Sequence, residues 1–184
     1  MKGQSAAPTV IGIAGWKNSG KTTLATCLIA ELAARGFRVA SVKHAHHAFR
    51  IDEGETDSAR HRRAGASQVA IVSARRWALI AEIAGAREPP LEEVIARLDP
   101  CDVVIVEGYK AAPIPKIETR RRAAAHGPPL ADTDPNVVAI AADHPVEGRG
   151  RPVFALDDAA GIADFMVAAL RASAQRRAAT PRAE

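Results

Sequence analysis

The stretch Gly15-Trp16-Lys17-Asn18-Ser19-Gly20-Lys21-Thr22 constrains this chain more than any other feature. It fits the pattern G-x-x-x-x-G-K-[ST], and its flanks are what give the pattern meaning. Residues 10–14, Val-Ile-Gly-Ile-Ala, are short and mostly apolar, as a buried strand should be. Residues 22–35 read as a helix, with Leu24, Leu28 and Leu32 on one face and Gly36 as its stop. A strand that turns through glycines into a helix aims free backbone N–H groups, and the positive end of the helix dipole, at one point. That point suits the β-phosphate of a nucleotide. The expected contacts are Gly15, Lys17, Asn18, Ser19, Gly20, Lys21, Thr22 and Thr23. Lys21 reaches the β- and γ-phosphates as a catalytic cation, and the Thr22 hydroxyl ligates Mg²⁺. The competing explanation, a glycine-rich turn matched by chance, has a frequency well under ~1 in 100 for a chain of this size.

The remaining segments alternate. Strands are expected at 38–43, 68–73, 77–83, 103–106, 137–141 and 153–155, and helices at 57–64, from Pro89 to Leu98, and at 158–173. The polar, His-rich stretch 44–56 reads as a loop or exposed ribbon. Continuous apolar strands alternating with helices imply an α/β fold. The expectation is a P-loop three-layer sandwich, a mostly parallel sheet flanked by helices, with an extra β-ribbon after the second strand. Residues 1–9 form a flexible lead-in, 10–173 one domain, and 174–184 an Ala/Arg-rich disordered tail.

Ligand sites in such sheets lie at the carboxyl ends of the strands. Three separated places fall there: the phosphate loop, Lys43-His44 and Glu107-Gly108. Glu107 follows four aliphatic residues, where an acid holds Mg²⁺ through water or orients an attacking water; the alternative is a solvent-facing strand end. Asp102 should lie at the opposite edge. Asp52 and Asp57 follow the second strand, where switch segments meet the metal, and Asp57 reads equally as a helix N-cap. His44, His46 and His47 could take a transition metal or contact an anion. Lys110 and Lys116, with Lys43 and His44, could face a second anionic partner, or be surface residues. The guanine-reading N-K-x-D is absent, and Asp143, after the strand ending at Ala141, is the candidate for a guanine edge.

The formal net charge of +4 is modest, and aromatic residues make up 4% of the chain, so nucleic-acid binding is not expected. Neither Cys27 nor Cys101 belongs to a C-x-x-C unit, which points to buried free thiols in a reducing compartment. With neither a signal segment nor an apolar run of membrane-spanning length, a cytoplasmic chain is expected.

Several of these runs resemble one family, the molybdopterin-guanine dinucleotide biosynthesis protein B (MobB) family. Val42-Lys43-His44-Ala45-His46-His47 with Asp52 is similar to its K-H-x-H-H…D segment. Gly54-Glu55-Thr56-Asp57-Ser58, continuing to Ala64-Gly65-Ala66, resembles G-K-D-S…A-G-A, with Thr56 where the family has lysine. Arg76-Trp77-Ala78-Leu79 is similar to a further family run. Val106-Glu107-Gly108-Tyr109-Lys110 and Pro115-Lys116-Ile117-Glu118 resemble V-E-G-[FY]-K…K-I-E. The resemblance covers about residues 10–145. It implies a cytoplasmic, homodimeric, GTP-binding protein with weak Mg²⁺-dependent GTPase activity in molybdenum cofactor synthesis. That protein assists the guanylyltransferase MobA and takes molybdopterin as a further ligand. By similarity Lys21, Thr22 and Glu107 carry the phosphate and magnesium roles, and Asp57 matches the family's acid. Lys17 lies one position off the signature lysine of dimer-activated ATPases, so a cross-subunit lysine mechanism is not supported. Two other classes compete: a small-molecule kinase with Arg60, Arg62 and Arg63 on a lid, and a metallochaperone using His44–His47.

Overall fold

A computed structural model describes residues 7–45, 49–83, 85, 87–124 and 127–179, with side chains as far as 172. The segment read as one domain contains two compact units, Met1–His44 with Ile95–Glu184, and Ala45–Val94.

In the first unit, β1 (Thr9–Ala14), β2 (Val39–Lys43), β5 (Val103–Glu107), β6 (Lys116–Arg120), β7 (Val137–Ala142) and β8 (Val153–Ala155) form one sheet in the order β2-β5-β1-β6-β7-β8. Every neighbouring pair is parallel, as the runs of unbroken apolar sequence imply. β1 is therefore central, and its carboxyl end, the start of the phosphate loop, opens at the switch point between β5 and β6. The register aligns Ile13 and Lys43 with Glu107, which brings three strand ends level.

Helix α1 (Lys21–Ala34) and helix α4 (Ala159–Ala179) cover one face. Leu24, Leu28 and Leu32 of α1 and Ile162 and Met166 of α4 are buried against Ile11, Ile13, Val103, Ile105 and Ile117. Each such side chain contributes about 1.5–3 kcal/mol of burial. On the other face Ile140 and Ala142, two residues apart, pack with Ala131, and Val137 joins them where the register with β6 shifts between Lys116 and Ile117. α1 ends as expected at Gly36 (φ 87°), where Gly36 N–H donates to Ala33 O and Phe37 N–H to Leu32 O, a Schellman motif. α4 runs on to Ala179, so 174–179 is helical where a disordered tail was expected. Alanine, arginine and glutamine there carry high helix propensity.

β6 was not foreseen as a strand. Its Lys116, Glu118 and Thr119 are all about 1% exposed, each satisfied by a partner rather than by water. Lys116 Nζ donates to Asp134 Oδ2 at 2.6 Å, and Glu118 accepts from the N–H groups of Leu130 (2.8 Å) and Ala131 (3.0 Å) and from Arg120. Expected as a contact for an external anion, Lys116 is instead a buried structural cation already neutralised by Asp134. Asp102 lies at the far edge, as its strand position implied, and pairs there with Arg38.

The second unit holds α2 (Asp57–Arg63), β3 (Gln68–Val72) and β4 (Trp77–Ala81). β3 and β4 form an antiparallel hairpin, the extra ribbon expected after the second strand. It lies later in the chain than 44–56, whose described residues contain no strand beyond β2. α2 is N-capped by Thr56, whose Oγ1 accepts from Ala59 N–H at 3.2 Å, so Asp57 is not the cap. The side chains of Val72 (75%), Trp77 (63%) and Leu79 (50%) stay exposed on the hairpin. α3 (Leu91–Ala96) leads back into the first unit.

Candidate functional site

The phosphate loop is shaped by backbone that tolerates no side chain at key points. A Cβ on Gly15 (φ 155°) would stand 2.5 Å from both Ser19 Oγ and Thr119 Oγ1 and 2.7 Å from Thr119 O. Those two hydroxyls are themselves joined at 2.7 Å, and Thr119 Oγ1 donates to Ala14 O. β6 thus pins the loop from the side, a role nothing in the loop's own sequence reveals. Gly20 caps α1 in the left-handed region (φ 92°), and Asn18 also holds positive φ (62°). Lys17, Asn18, Thr22 and Thr23 are exposed, while Ser19 is buried.

Lys21 donates from Nζ to Trp16 O at 2.7 Å, folding over the loop it starts from. Its pKa is lowered below the ordinary lysine value. Burial disfavours the charge, Glu107 pulls the other way, and Lys110 and Lys43 add to the lowering. A cation held in that condition gains from an incoming anion. Thr22 Oγ1 donates to Glu107 Oε1 at 2.7 Å, and Lys43 Nζ lies 3.4 Å from the same oxygen. The three strand ends therefore bring Lys21, Thr22, Glu107 and Lys43 into one cluster. A hydroxyl beside a carboxylate is a hard-oxygen donor pair suited to Mg²⁺.

Next to this cluster Lys110 Nζ sits 4.0 Å above the Trp16 ring, a cation–π contact. Trp16 Nε1 in turn donates to Pro128 O. His44 stacks at 4.5 Å on Tyr109, and a Cβ on Gly108 (φ 94°) would meet His44 Cβ at 2.9 Å. His44 and Lys110 thus frame the end of β5, as expected, while His46 and His47 lie outside the described residues. Asp57 belongs to the second unit, where its exposed carboxylate stands 3.8 Å from Arg60. Arg62 is tied there to Glu82 and to the carbonyls of Ile51 and Asp52, and Arg63 to Glu55. The three arginines proposed for a kinase lid are all paired within their own unit.

A cavity of about 520 Å³ adjoins the loop on the side of β7 and β8. Its wall includes Gly20, Thr23, Cys27, Arg121, Asp143 and Asp157. A Cβ on Gly20 would lie 3.2 Å from Leu156 Cδ2 and 3.5 Å from Arg121 Nη2, which fixes how closely the loops after β6 and β8 approach the phosphate loop. Asp143 stands where it was expected, but its Oδ1 accepts from Arg122 N–H and is bonded to His144 Nδ1, both at 2.8 Å. Its pKa is lowered, first by the His144 bond and then by the Arg122 amide. Asp157 and Arg121 were not foreseen. The rule that picked out Asp143, an acid just past a strand's carboxyl end, applies equally to Asp157 after β8.

A parallel sheet whose central strand turns through such a loop into a helix, with a strand-end acid on the loop's threonine, defines a P-loop nucleotide-binding protein. The family model described as "Molybdopterin guanine dinucleotide synthesis protein B" (MobB) matches residues 10–143, and the chain belongs to that family. It is 37% identical over 169 residues to the molybdopterin-guanine dinucleotide biosynthesis adapter protein of Escherichia coli strain K12, covering 91% of this chain and 95% of that one. It is 38% identical to the adapter protein of Haemophilus influenzae, over 85% and 86% of the two chains. The crystal structure of a MobB homolog from Bacillus stearothermophilus superposes with a TM-score of 0.61 at 29% identity, covering 89% of this chain and 98% of that one. Among the described residues no helix is long and apolar enough to cross a membrane.

Proposed function

We propose that this chain is a cytoplasmic GTP-binding accessory protein of molybdopterin guanine dinucleotide synthesis, with weak Mg²⁺-dependent GTPase activity. It acts as a homodimer beside the guanylyltransferase MobA and takes molybdopterin as a further ligand. Family membership and the adapter names of its relatives support the pathway. The observation that carries the nucleotide part is the 2.7 Å bond between Thr22 and Glu107 beside Lys21. It ties the threonine of the loop to the strand-end acid from an entirely separate segment. The exposed Val72, Trp77 and Leu79 of the hairpin support an association surface, consistent with a dimer.

In this reading the Gly15–Thr22 amides and Lys21 hold the phosphates. Thr22 and Glu107 hold Mg²⁺, which when bound offsets the charge of the β- and γ-phosphates. Glu107 also accepts a hydrogen bond from a water aligned at the γ-phosphate, with Lys43 holding its carboxylate in place. Lys43 and Lys110, with the His44 ring, form a rim for a second anion. A metal role for Asp57 rests on its place after the second strand and on the resemblance. Calorimetry with GTP, ATP and molybdopterin, singly and together with Mg²⁺, tests the proposal. Saturable GTP binding that requires Mg²⁺ and is altered by molybdopterin is expected; ATP binding as tight as GTP binding, or no binding of either, contradicts it.

A further inference from the structure

At the carboxyl edge of β7 and β8, the aspartates Asp143, Asp157 and Asp158 stand close in the chain's topology, and they are not equivalent. Asp143 is spent on Arg122 N–H and His144. Asp158 Oδ1 accepts from Gly161 N–H at 2.9 Å at the start of α4. Asp157 faces the cavity beside Gly20, and no hydrogen bond or ion pair of the described residues engages its carboxylate. Leu24, Ala142, Ala155 and Leu156 give that wall its apolar part, and Thr23, Cys27, Arg121 and Asp143 complete it. A volume of about 520 Å³, apolar faces and a few convergent polar groups are what a nucleobase site needs.

We infer that Asp157, rather than Asp143, reads the base, and that the base it selects is guanine. This rests on the proposal that the loop holds a nucleoside triphosphate. One ionised carboxylate accepts two parallel N–H donors, and guanine presents such a pair in N1–H and the 2-amino group. Adenine presents a donor beside an acceptor and would leave one carboxylate oxygen facing a lone pair. Arg121, on the same wall, offers N–H donors to the guanine O6. Asp143, on the same wall, holds Arg121 in place: its Oδ2 lies 3.9 Å from Arg121 Nε, while its Oδ1 engages His144 and the Arg122 amide.

The substitution Asp157→Asn exchanges one acceptor for a donor. The matching ligand is xanthosine triphosphate, in which a carbonyl replaces the 2-amino group. With the full chain and Mg²⁺, the variant is expected to lose GTP affinity by about 10- to 100-fold and to gain xanthosine triphosphate affinity by a similar factor. Asp143→Asn should weaken both ligands alike, since both carry the O6 that Arg121 contacts, and leave their ratio unchanged. The unmodified protein supplies a second readout: inosine triphosphate, which lacks the 2-amino group, should bind about 10-fold more weakly than GTP. GTP should also slow alkylation of Cys27, an exposed thiol on the cavity wall, while Cys101 is buried. Normal GTP binding with an unaltered preference in Asp157→Asn, or equal affinity for GTP and inosine triphosphate, overturns the assignment and leaves the nucleotide reading standing. Absence of GTP binding to the unmodified protein overturns the nucleotide reading and this inference with it.

Discussion

The sheet has two halves that reach the same kind of order by opposite means. The phosphate half, from Gly15 to Thr22 with Lys43 and Glu107, is built on apolar strands that stop at a charged residue. The base half, proposed to hold the nucleobase and running from Lys116 to Asp157, is built on polar side chains that satisfy one another. In the first, the proposed function sits on the residues that define the motif. In the second, most charged groups are structural: Lys116 belongs to Asp134, Glu118 to the backbone at Leu130 and Ala131, and Asp143 to Arg122 and His144. Charge at a strand end is therefore informative only once its partners are counted.

That contrast can be broken by substitution, and the largest expected effect falls on the phosphate half. Gly15→Val forces a side chain into Ser19 and Thr119, where even a Cβ would stand 2.5 Å from each hydroxyl. Nucleotide binding should fall beyond detection, with a thermal midpoint lowered by overpacking worth about 1–3 kcal/mol. Retained GTP affinity would mean that the loop is not the phosphate site.

On the base half the largest effect should be on stability. Asp134→Ala leaves Lys116, 1% exposed, without its partner. Chemical denaturation should show a loss of about 3–5 kcal/mol, because a buried charge is left uncompensated. Lys116→Met should cost less, since the stranded Asp134 keeps some access to water. Burial alone would raise the Asp134 pKa, but the hydrogen bonds from Lys116 and Asn136 outweigh it and hold the carboxyl below the usual 3.8. The sign follows: this pair stabilises the fold above the unfolded-state value and loses that contribution as pH falls through the lowered one. Acid titration of unfolding in the parent and in Asp134→Asn should converge at low pH; parallel curves would contradict the assignment.

Smaller effects sharpen the comparison. Because burial lowers the Lys21 pKa, the free protein gives up this proton at a lower pH than an ordinary lysine. A bound triphosphate favours the ammonium. GTP affinity should thus decline as pH rises through the lowered Lys21 value, below the ordinary 10.5, with net proton uptake on binding in that range. Calorimetry in buffers of different ionisation enthalpy measures it, and proton release would reverse the sign and defeat the assignment. Lys110→Ala removes the contact with Trp16 and should change stability by only about 0.5–1 kcal/mol. A loss several times larger would show that this lysine does more than cover the ring.

The phosphate half and the parallel sheet were legible because their signals are local: a glycine pattern, four aliphatic residues before Glu107, leucines at helical spacing. β6 was not, since Lys-Ile-Glu-Thr-Arg carries no apolar run and its burial depends on Asp134 and on amides far along the chain. The ribbon was expected in kind, but its strands proved to be Gln68–Val72 and Trp77–Ala81, read from sequence only as extended segments. Lys116 looked like a surface cation because a single sequence does not display the partner that neutralises it. Asp157 was missed although it obeys the strand-end rule, because β8 is three residues long and gives little sequence signal.

Titration of Mg²⁺-GTP into the unmodified protein and into Lys21→Ala tests the account most directly. Saturable binding in the first and a loss of about 100-fold or more in a folded second is the expected outcome, since a charge-assisted contact made in a water-poor site is removed. Equal affinity in the two proteins would contradict the claim that the ammonium of Lys21 and the amides at the start of α1 together hold the phosphates.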